Sequence, residues 1–89
     1  MIASTRLVVP LSEVPPGERA WVHSFHAGRV IENRLASLGF TPGVAVEIVQ
    51  NYGRGPLIVT VRGTRVALGR GEAAKILVER SEQDDDQIS

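Results

Sequence analysis

Two histidines are the first residues in the chain whose types and spacing could bind a metal. His23 and His26 lie three positions apart, and that spacing brings side chains to one face of a helix but to opposite faces of a strand. The flanking residues predict a strand that runs into a loop. Two histidines and a carboxylate would suit ferrous iron, and Glu32 or an acid of the C-terminal tail could supply the carboxylate. We expect two surface histidines, with a metal site as the alternative.

Two further segments have the composition of ion-binding sites but lack the required pattern. The aspartates at residues 84–86 could hold a hard cation through carboxylate oxygens, yet a run of acids without an organising loop indicates a solvated tail. The glycines of residues 53–56 do not form the G-x-x-x-x-G-K-[ST] phosphate loop and are not followed by a helix. Neither segment predicts a bound ion.

Catalytic chemistry finds no support in the sequence. The serines and the two histidines do not occur in a nucleophile-elbow or triad-like context. A chain of 89 residues also leaves little room for an enclosed substrate pocket. We therefore expect a protein that is not an enzyme and has no cofactor.

Binding to another protein is the chemistry that the remaining polar residues support best. Tyr52 and Arg54 lie in a glycine-rich loop, and tyrosine and arginine are the residue types that most often anchor interfaces. Arg62, Arg65 and Arg70 surround a predicted hairpin, and a solvent-exposed basic face is the alternative interpretation. We predict Tyr52, Arg54, Arg62 and Arg65 as partner-binding residues. Few aromatic side chains are available for base stacking, so nucleic acid is not an expected partner.

The length and charge of the chain indicate its domain organisation and its compartment. The chain has 89 residues, no cysteine and a formal net charge of zero, which fits one small domain in a reducing compartment. Four of the ten acids follow residue 80, so residues 1–80 carry a net charge of +4. We expect a cytoplasmic protein with one domain over residues 1–80 and an acidic, disordered tail over residues 81–89.

One helix is predicted, over residues 28–38. Ile31, Leu35 and Leu38 share one face. Gly39 then occupies the position of a left-handed C′ residue, and Phe40 can pack back on Leu35, as in a Schellman stop. Residues 41–43 have the sequence of a type II turn.

The rest of the chain predicts short strands. A possible first strand or extended lead-in covers residues 7–11, and strands follow at residues 19–25, 44–49, 57–62, 65–68 and 76–78. Gly63 and Thr64 have the order of a type II′ hairpin turn. Val49, Ile58 and Leu77 fall on outer faces and could form an apolar patch for a partner or a second copy. The predicted interior contains Val22, Ile31, Leu35, Leu38, Phe40, Val46, Ile48, Leu57, Val59, Val61, Val66, Leu68, Ile76 and Val78.

The order of these motifs resembles a known family. The motifs are VPPGE at residues 14–18, RLASLGFTPG at 34–43, NYGRGP at 51–56 and GEAAKILV at 71–78. Together they are similar to the FeoA family, the small ferrous iron transport protein A. The resemblance implies an all-β fold, a five-stranded SH3-like barrel with one inserted α-helix. The same domain occurs at the C-terminus of DtxR-like metal-dependent repressors.

The resemblance also implies a function. It implies a cytoplasmic accessory protein of ferrous iron uptake that binds FeoB, the membrane transporter with a GTP-binding domain, and regulates or stabilises it. Two alternatives stay open: a regulatory barrel that works with a DtxR-like repressor, and an iron chaperone that would use His23 and His26 as ligands.

Overall fold

The computed structural model describes residues 6–81. Six strands, two helices and one 3₁₀ turn make up this part of the chain. In chain order they are β1 (Arg6–Pro10), the 3₁₀ turn (Leu11–Glu13), β2 (Arg19–Phe25), α1 (Arg29–Ser37), β3 (Ala45–Gln50), β4 (Leu57–Val61), β5 (Thr64–Leu68), α2 (Arg70–Ala73) and β6 (Ile76–Ser81).

All the strands pair antiparallel in one sheet, in the order β1-β6-β2-β3-β4-β5. The predicted all-β fold with one inserted helix between the first two main strands is therefore confirmed. Of the two readings of residues 7–11, the strand is correct: Arg6–Pro10 pairs along its whole length with β6 and adds a sixth strand to the five of the implied barrel. Pro10 ends this edge strand, where a missing N–H is tolerated. The predicted acidic tail begins at residue 81, but Ser81 is the last residue of β6; the rest of the predicted tail lies outside the described residues.

The end of α1 agrees with the sequence. Gly39 has a φ of 107°, and its N–H donates to the Ala36 carbonyl at 3.0 Å. The Phe40 N–H donates to the Leu35 carbonyl at 3.0 Å, which completes the Schellman motif. Leu38 differs from its prediction: it is 38% exposed. Leu38 is the C-cap residue and keeps a right-handed backbone, with φ −88° and ψ −4°, but its side chain borders an open groove beside the β4–β5 hairpin and not the closed core.

The hairpin between β4 and β5 also differs from its prediction. Val61 pairs with Thr64, so Arg62 and Gly63 are the two turn residues, not Gly63 and Thr64. Both have positive φ, 51° and 77°, which defines a type I′ turn and not a type II′ turn. The type I′ turn matches the right-handed twist of the strands that it joins, and that tertiary requirement places Arg62 in a conformation that few non-glycine residues adopt.

The core lies inside the curved sheet, under α1. Most of the predicted interior is buried, and Ile31 and Val66 pack partly buried against it. The sequence did not predict Leu11, Val14, Ala20 and Ala73, all fully buried. Leu11 and Val14 belong to the segment around the 3₁₀ turn, where no strand or helix period marks an inward side.

Two bulges change the direction of side chains along the sheet. In β2 the register shifts between Val22 and Ser24, so His23 is the extra residue of a bulge. After the bulge, each side chain points to the face opposite to the one that regular alternation would give. Phe25 consequently packs against the core while Trp21 pairs with Glu79. The two aromatic residues therefore do not share one face, as a regular strand would require. A second shift in β3 makes Val49 the extra residue.

Candidate functional site

The loop at residues 51–56 is held by the side chain of Asn51. Its Nδ2 donates to the carbonyls of Ser12 at 3.0 Å and Val14 at 2.8 Å. Its Oδ1 accepts from the N–H of Gly53 at 3.0 Å and from Arg70 Nη2 at 2.6 Å. One amide thus connects the loop to the 3₁₀ segment and to α2, and all its hydrogen-bonding groups are used.

Arg70 completes this network from α2. Its Nε donates to the Gly55 carbonyl and its Nη1 to the Ser12 carbonyl, both at 3.3 Å. The sequence grouped Arg70 with Arg62 and Arg65 around the hairpin, but its guanidinium lies against the loop instead. We name Asn51 and Arg70 the loop anchor. Its partners lie up to 58 positions apart in the chain, so only the Asn51-to-Gly53 turn had a local signal.

The loop anchor presents two of the predicted partner-binding residues to solvent. Tyr52 is 76% exposed, and Arg54 is exposed as well. Tyr52 lies between Asn51 and Gly53, which are joined by a hydrogen bond, and Arg54 lies between Gly53 and Gly55, whose backbone groups the loop anchor also bonds. A side chain on an ordered loop loses less conformational freedom when it binds than one on a loop that must first become ordered.

The other two predicted residues lie at the hairpin. Arg62 Nη2 contacts Thr41 Oγ1 at 3.4 Å, and a Cβ on Gly39 would lie 3.3 Å from Arg62 Cδ. The Arg62 side chain therefore lies over the end of α1. Arg65 is exposed and pairs with Thr60 on the outer face of the sheet. These two arginines form a basic group with no carboxylate bonded to either in any ion pair between described residues.

The structure divides the four residues into two groups. Tyr52 and Arg54 precede β4, and Arg62 follows it. The five residues of β4 span about 17 Å at the rise of a β-strand. The predicted partner-binding residues are thus two surfaces at opposite ends of one strand: the loop surface (Tyr52, Arg54) and the hairpin surface (Arg62, Arg65).

The predicted apolar patch is also divided by the sheet. Ile58 on β4 pairs with Gln50 and Ala67, whereas Leu77 on β6 pairs with Ser24 and Pro10. β2 and β3 lie between these two strands. The sheet register therefore does not make Leu77 a neighbour of Ile58.

The two histidines lie on the bulged end of β2 and just after it. His23 Nδ1 is 2.9 Å from Ser24 Oγ, and its Nε2 is 3.9 Å from Glu79 Oε2. The His26 side chain is exposed. Among residues 6–81, no group of three histidine, cysteine, aspartate or glutamate side chains is arranged to hold a metal ion. The described residues thus offer His23 and Glu79 as neighbours but no third ligand.

Residues 9–80 match the family model of the FeoA domain. The chain belongs to the FeoA family. It is 37% identical over 73 residues to a putative Fe(2+) transport protein A of Methanocaldococcus jannaschii, covering 82% of this chain and 88% of that one. The recognised resemblance is therefore confirmed, and FeoA proteins are accessory proteins of ferrous iron transport.

Solved FeoA structures share the fold. A crystal structure of the iron uptake regulatory protein FeoA has 37% identity and a TM-score of 0.78, covering 85% of this chain and all of that one. Stenotrophomonas maltophilia FeoA, solved with zinc and described as a procaryotic SH3 domain protein, has 36% identity and a TM-score of 0.67, covering 86% and 89%. The SH3-like architecture is thus confirmed. In the described part of this FeoA chain, no helix is long and apolar enough to cross a membrane.

Proposed function

We propose that this FeoA protein is a non-enzymatic, cytoplasmic accessory protein of ferrous iron uptake. It binds the cytoplasmic GTP-binding part of a FeoB-type transporter and regulates or stabilises it through protein–protein contacts. The observation that carries the proposal is the loop anchor, which holds Tyr52 and Arg54 exposed on an ordered loop. Family membership supplies the iron-transport context.

The loop surface has the chemistry of an interface anchor. Tyrosine and arginine combine a large contact area with polar groups, and they carry much of the energy at many interfaces. The six hydrogen bonds of Asn51 and Arg70 order the loop before any partner arrives. The partner consequently gains contact area without ordering the loop.

The hairpin surface contributes in a different way. Arg62 and Arg65 are both exposed, and exposed charges act more on the rate of encounter than on the strength of the final complex. An acidic patch on the transporter would therefore meet this surface early in association. The effect decreases with salt, because the Debye length falls to about 8 Å at physiological ionic strength.

Calorimetry with the GTP-binding domain of the same organism's FeoB-type transporter tests the proposal. The Tyr52→Ala, Arg54→Ala double variant should bind at least about tenfold more weakly, because two interface anchors are truncated. Arg29→Ala with Val30→Ala is the matched control: it removes another exposed arginine and a large apolar side chain that is 82% exposed, and it should bind like the wild type. Wild-type affinity in the loop double variant would reject the loop surface.

The same titration addresses the role of the nucleotide. An affinity that differs between the GTP-bound and GDP-bound transporter domain would support regulation, and an affinity that does not differ would support stabilisation. Absence of binding to the full-length transporter in detergent, together with binding to a DtxR-like repressor, would reject the transporter as the partner.

A further inference from the structure

β5 forms an open edge of the sheet. Among residues 6–81, β4 is the one strand that pairs with it, and no backbone hydrogen bond from a loop or helix of that part reaches Thr64–Leu68. An edge strand presents unpaired N–H and C=O groups that can template another strand. The opposite edge, β1, ends in Pro10, which has no N–H to donate. β5 has neither a proline nor a register shift against β4.

The hairpin register determines which groups of β5 are free. Val61 and Thr64 flank a two-residue turn, so they form a hydrogen-bonded pair, and bonded and non-bonded pairs then alternate along the strands. Arg65 and Ala67 fall at non-bonded positions. Their N–H and C=O groups therefore point away from β4, toward the open edge.

An apolar groove borders this edge. It has a volume of about 520 Å³ and lies between the hairpin and the C-terminal end of α1. Leu38, 38% exposed, and the partly buried Val66 contribute apolar surface, and Arg62 lies in its wall. A strand added at β5 would direct every second side chain to the face of Val66, and hence into the groove.

We propose that an extended segment of a partner protein adds to β5 as a further strand. Its backbone pairs with Arg65 and Ala67, an apolar side chain opposite Val66 enters the groove, and an acidic side chain opposite Arg65 forms a cross-strand ion pair. The recognised chemistry is thus a short strand that alternates apolar and acidic residues. The identity of the partner rests on the proposed function, but the chemistry of the edge does not.

Charge favours this occupant over two others. A second copy paired antiparallel through its own β5 offers no acid to Arg65: the register that sets the two Arg65 side chains opposite each other is destabilised by like charges, and the register that sets Arg65 opposite Ala67 leaves it without an ion pair. The acidic tail of this chain contains three consecutive aspartates at residues 84–86. Aspartate is depleted in strands, and three acids in a row cannot supply the alternating apolar side chain.

Two capped peptides test the edge without the transporter. One alternates valine with glutamate, and the other alternates valine with lysine. We expect the glutamate peptide to bind at least about tenfold more tightly and to protect the Arg65 and Ala67 amides from hydrogen exchange, as measured by NMR. Equal affinity of the two peptides, or protection of other amides in place of these two, would overturn the proposal. Concentration-dependent protection without peptide would identify a second copy as the occupant.

Two variants separate backbone pairing from side-chain contact. Ala67→Pro removes an N–H that points to the open edge while leaving the β4 ladder complete, which an edge position tolerates. Ala67→Val is the matched control that keeps the N–H. Proline should weaken binding of the glutamate peptide about tenfold through the lost hydrogen bond, and valine should not.

If the proline variant does not fold, Arg65→Glu should reverse the preference to the lysine peptide, with Arg29→Glu as its control. An unchanged preference in Arg65→Glu would reject the edge.

The two proposals can fail separately. Peptide binding at β5 without any binding to the transporter domain would reject the transporter and keep the edge as a recognition site. Transporter binding that is unaffected by Ala67→Pro and Arg65→Glu would reject the edge and keep the accessory function.

Discussion

Arg70 Nη2 donates a 2.6 Å hydrogen bond to Asn51 Oδ1, and this contact joins α2 to a loop nineteen positions earlier in the chain. Asn51 also donates to the Ser12 carbonyl of the 3₁₀ turn, and Arg70 donates to the Gly55 carbonyl inside the loop. Tyr52 and Arg54, which are proposed to contact a partner, therefore lie on a loop whose backbone Asn51 and Arg70 hold in place.

Asn51→Ala should destabilise the protein by roughly 2–4 kcal/mol. It removes two donated and two accepted hydrogen bonds in a partly buried setting, and each contributes about 1 kcal/mol. Urea denaturation followed by circular dichroism measures the change in the free energy of unfolding. Asn33→Ala, at an exposed position of α1, is the control and should change it by less than about 0.5 kcal/mol. Similar effects of the two substitutions would contradict the anchoring role.

Two glycines should respond to alanine in opposite directions. Gly39 has a φ of 107°, so Gly39→Ala should cost at least about 1–2 kcal/mol in backbone strain. Gly71 lies within α2 with open space around its Cα, so Gly71→Ala should stabilise by about 0.5–1 kcal/mol. Thermal unfolding of both variants checks the signs. A stabilised Gly39→Ala variant would argue against the Schellman stop of α1.

Leu35 in α1 and Leu38 at its C-cap should contribute differently to the free energy of unfolding, although they lie three positions apart. Leu35 is fully buried and Leu38 is 38% exposed. Leu35→Ala should cost about 2–5 kcal/mol in lost burial and cavity formation, whereas Leu38→Ala should cost less than about 1.5 kcal/mol. Chemical denaturation compares them. Equal costs would mean that the Leu38 side chain is in the core, as its helical spacing predicts.

The turn conformation of Arg62 gives a fourth prediction. Its φ of 51° suits asparagine, which adopts left-handed conformations readily, and disfavours β-branched residues. We expect Arg62→Asn to change the free energy of unfolding by less than about 0.5 kcal/mol and Arg62→Val to cost about 1–2 kcal/mol. Equilibrium unfolding in urea distinguishes these. If valine were tolerated as well as asparagine, the type I′ turn would be wrong.

Local patterns in the sequence predicted the elements that local physics determines. The end of α1 at Gly39 and Phe40 depends on a left-handed backbone and short-range hydrogen bonds. The types of these neighbouring residues are therefore enough to predict it. The turn that ends with Gly43 is similar: Val44 donates to the Thr41 carbonyl at 3.0 Å, and Gly43 has a φ of 89°. Both were predicted correctly from a few adjacent residues.

Features that depend on distant parts of the chain were not predicted. The pairing of β1 with β6, the bulge at His23 and the position of Arg70 all arise from contacts between segments far apart in sequence. A strand pattern read alone cannot show where an extra residue shifts its register. Family resemblance supplied the fold but not the division of the four candidate residues between the two ends of β4.

Because the four candidate residues lie at the two ends of β4, this strand determines the distance between them. Its length sets the spacing between the loop surface and the hairpin surface, and β4 is hydrogen-bonded to a neighbouring strand on each side, β3 and β5. A partner that matches both surfaces gains avidity, because the second contact forms at a high effective concentration once the first has formed. A partner with the same two chemistries at another spacing engages one end at a time. Under the proposed function, this protein would select its partner by distance as well as by charge.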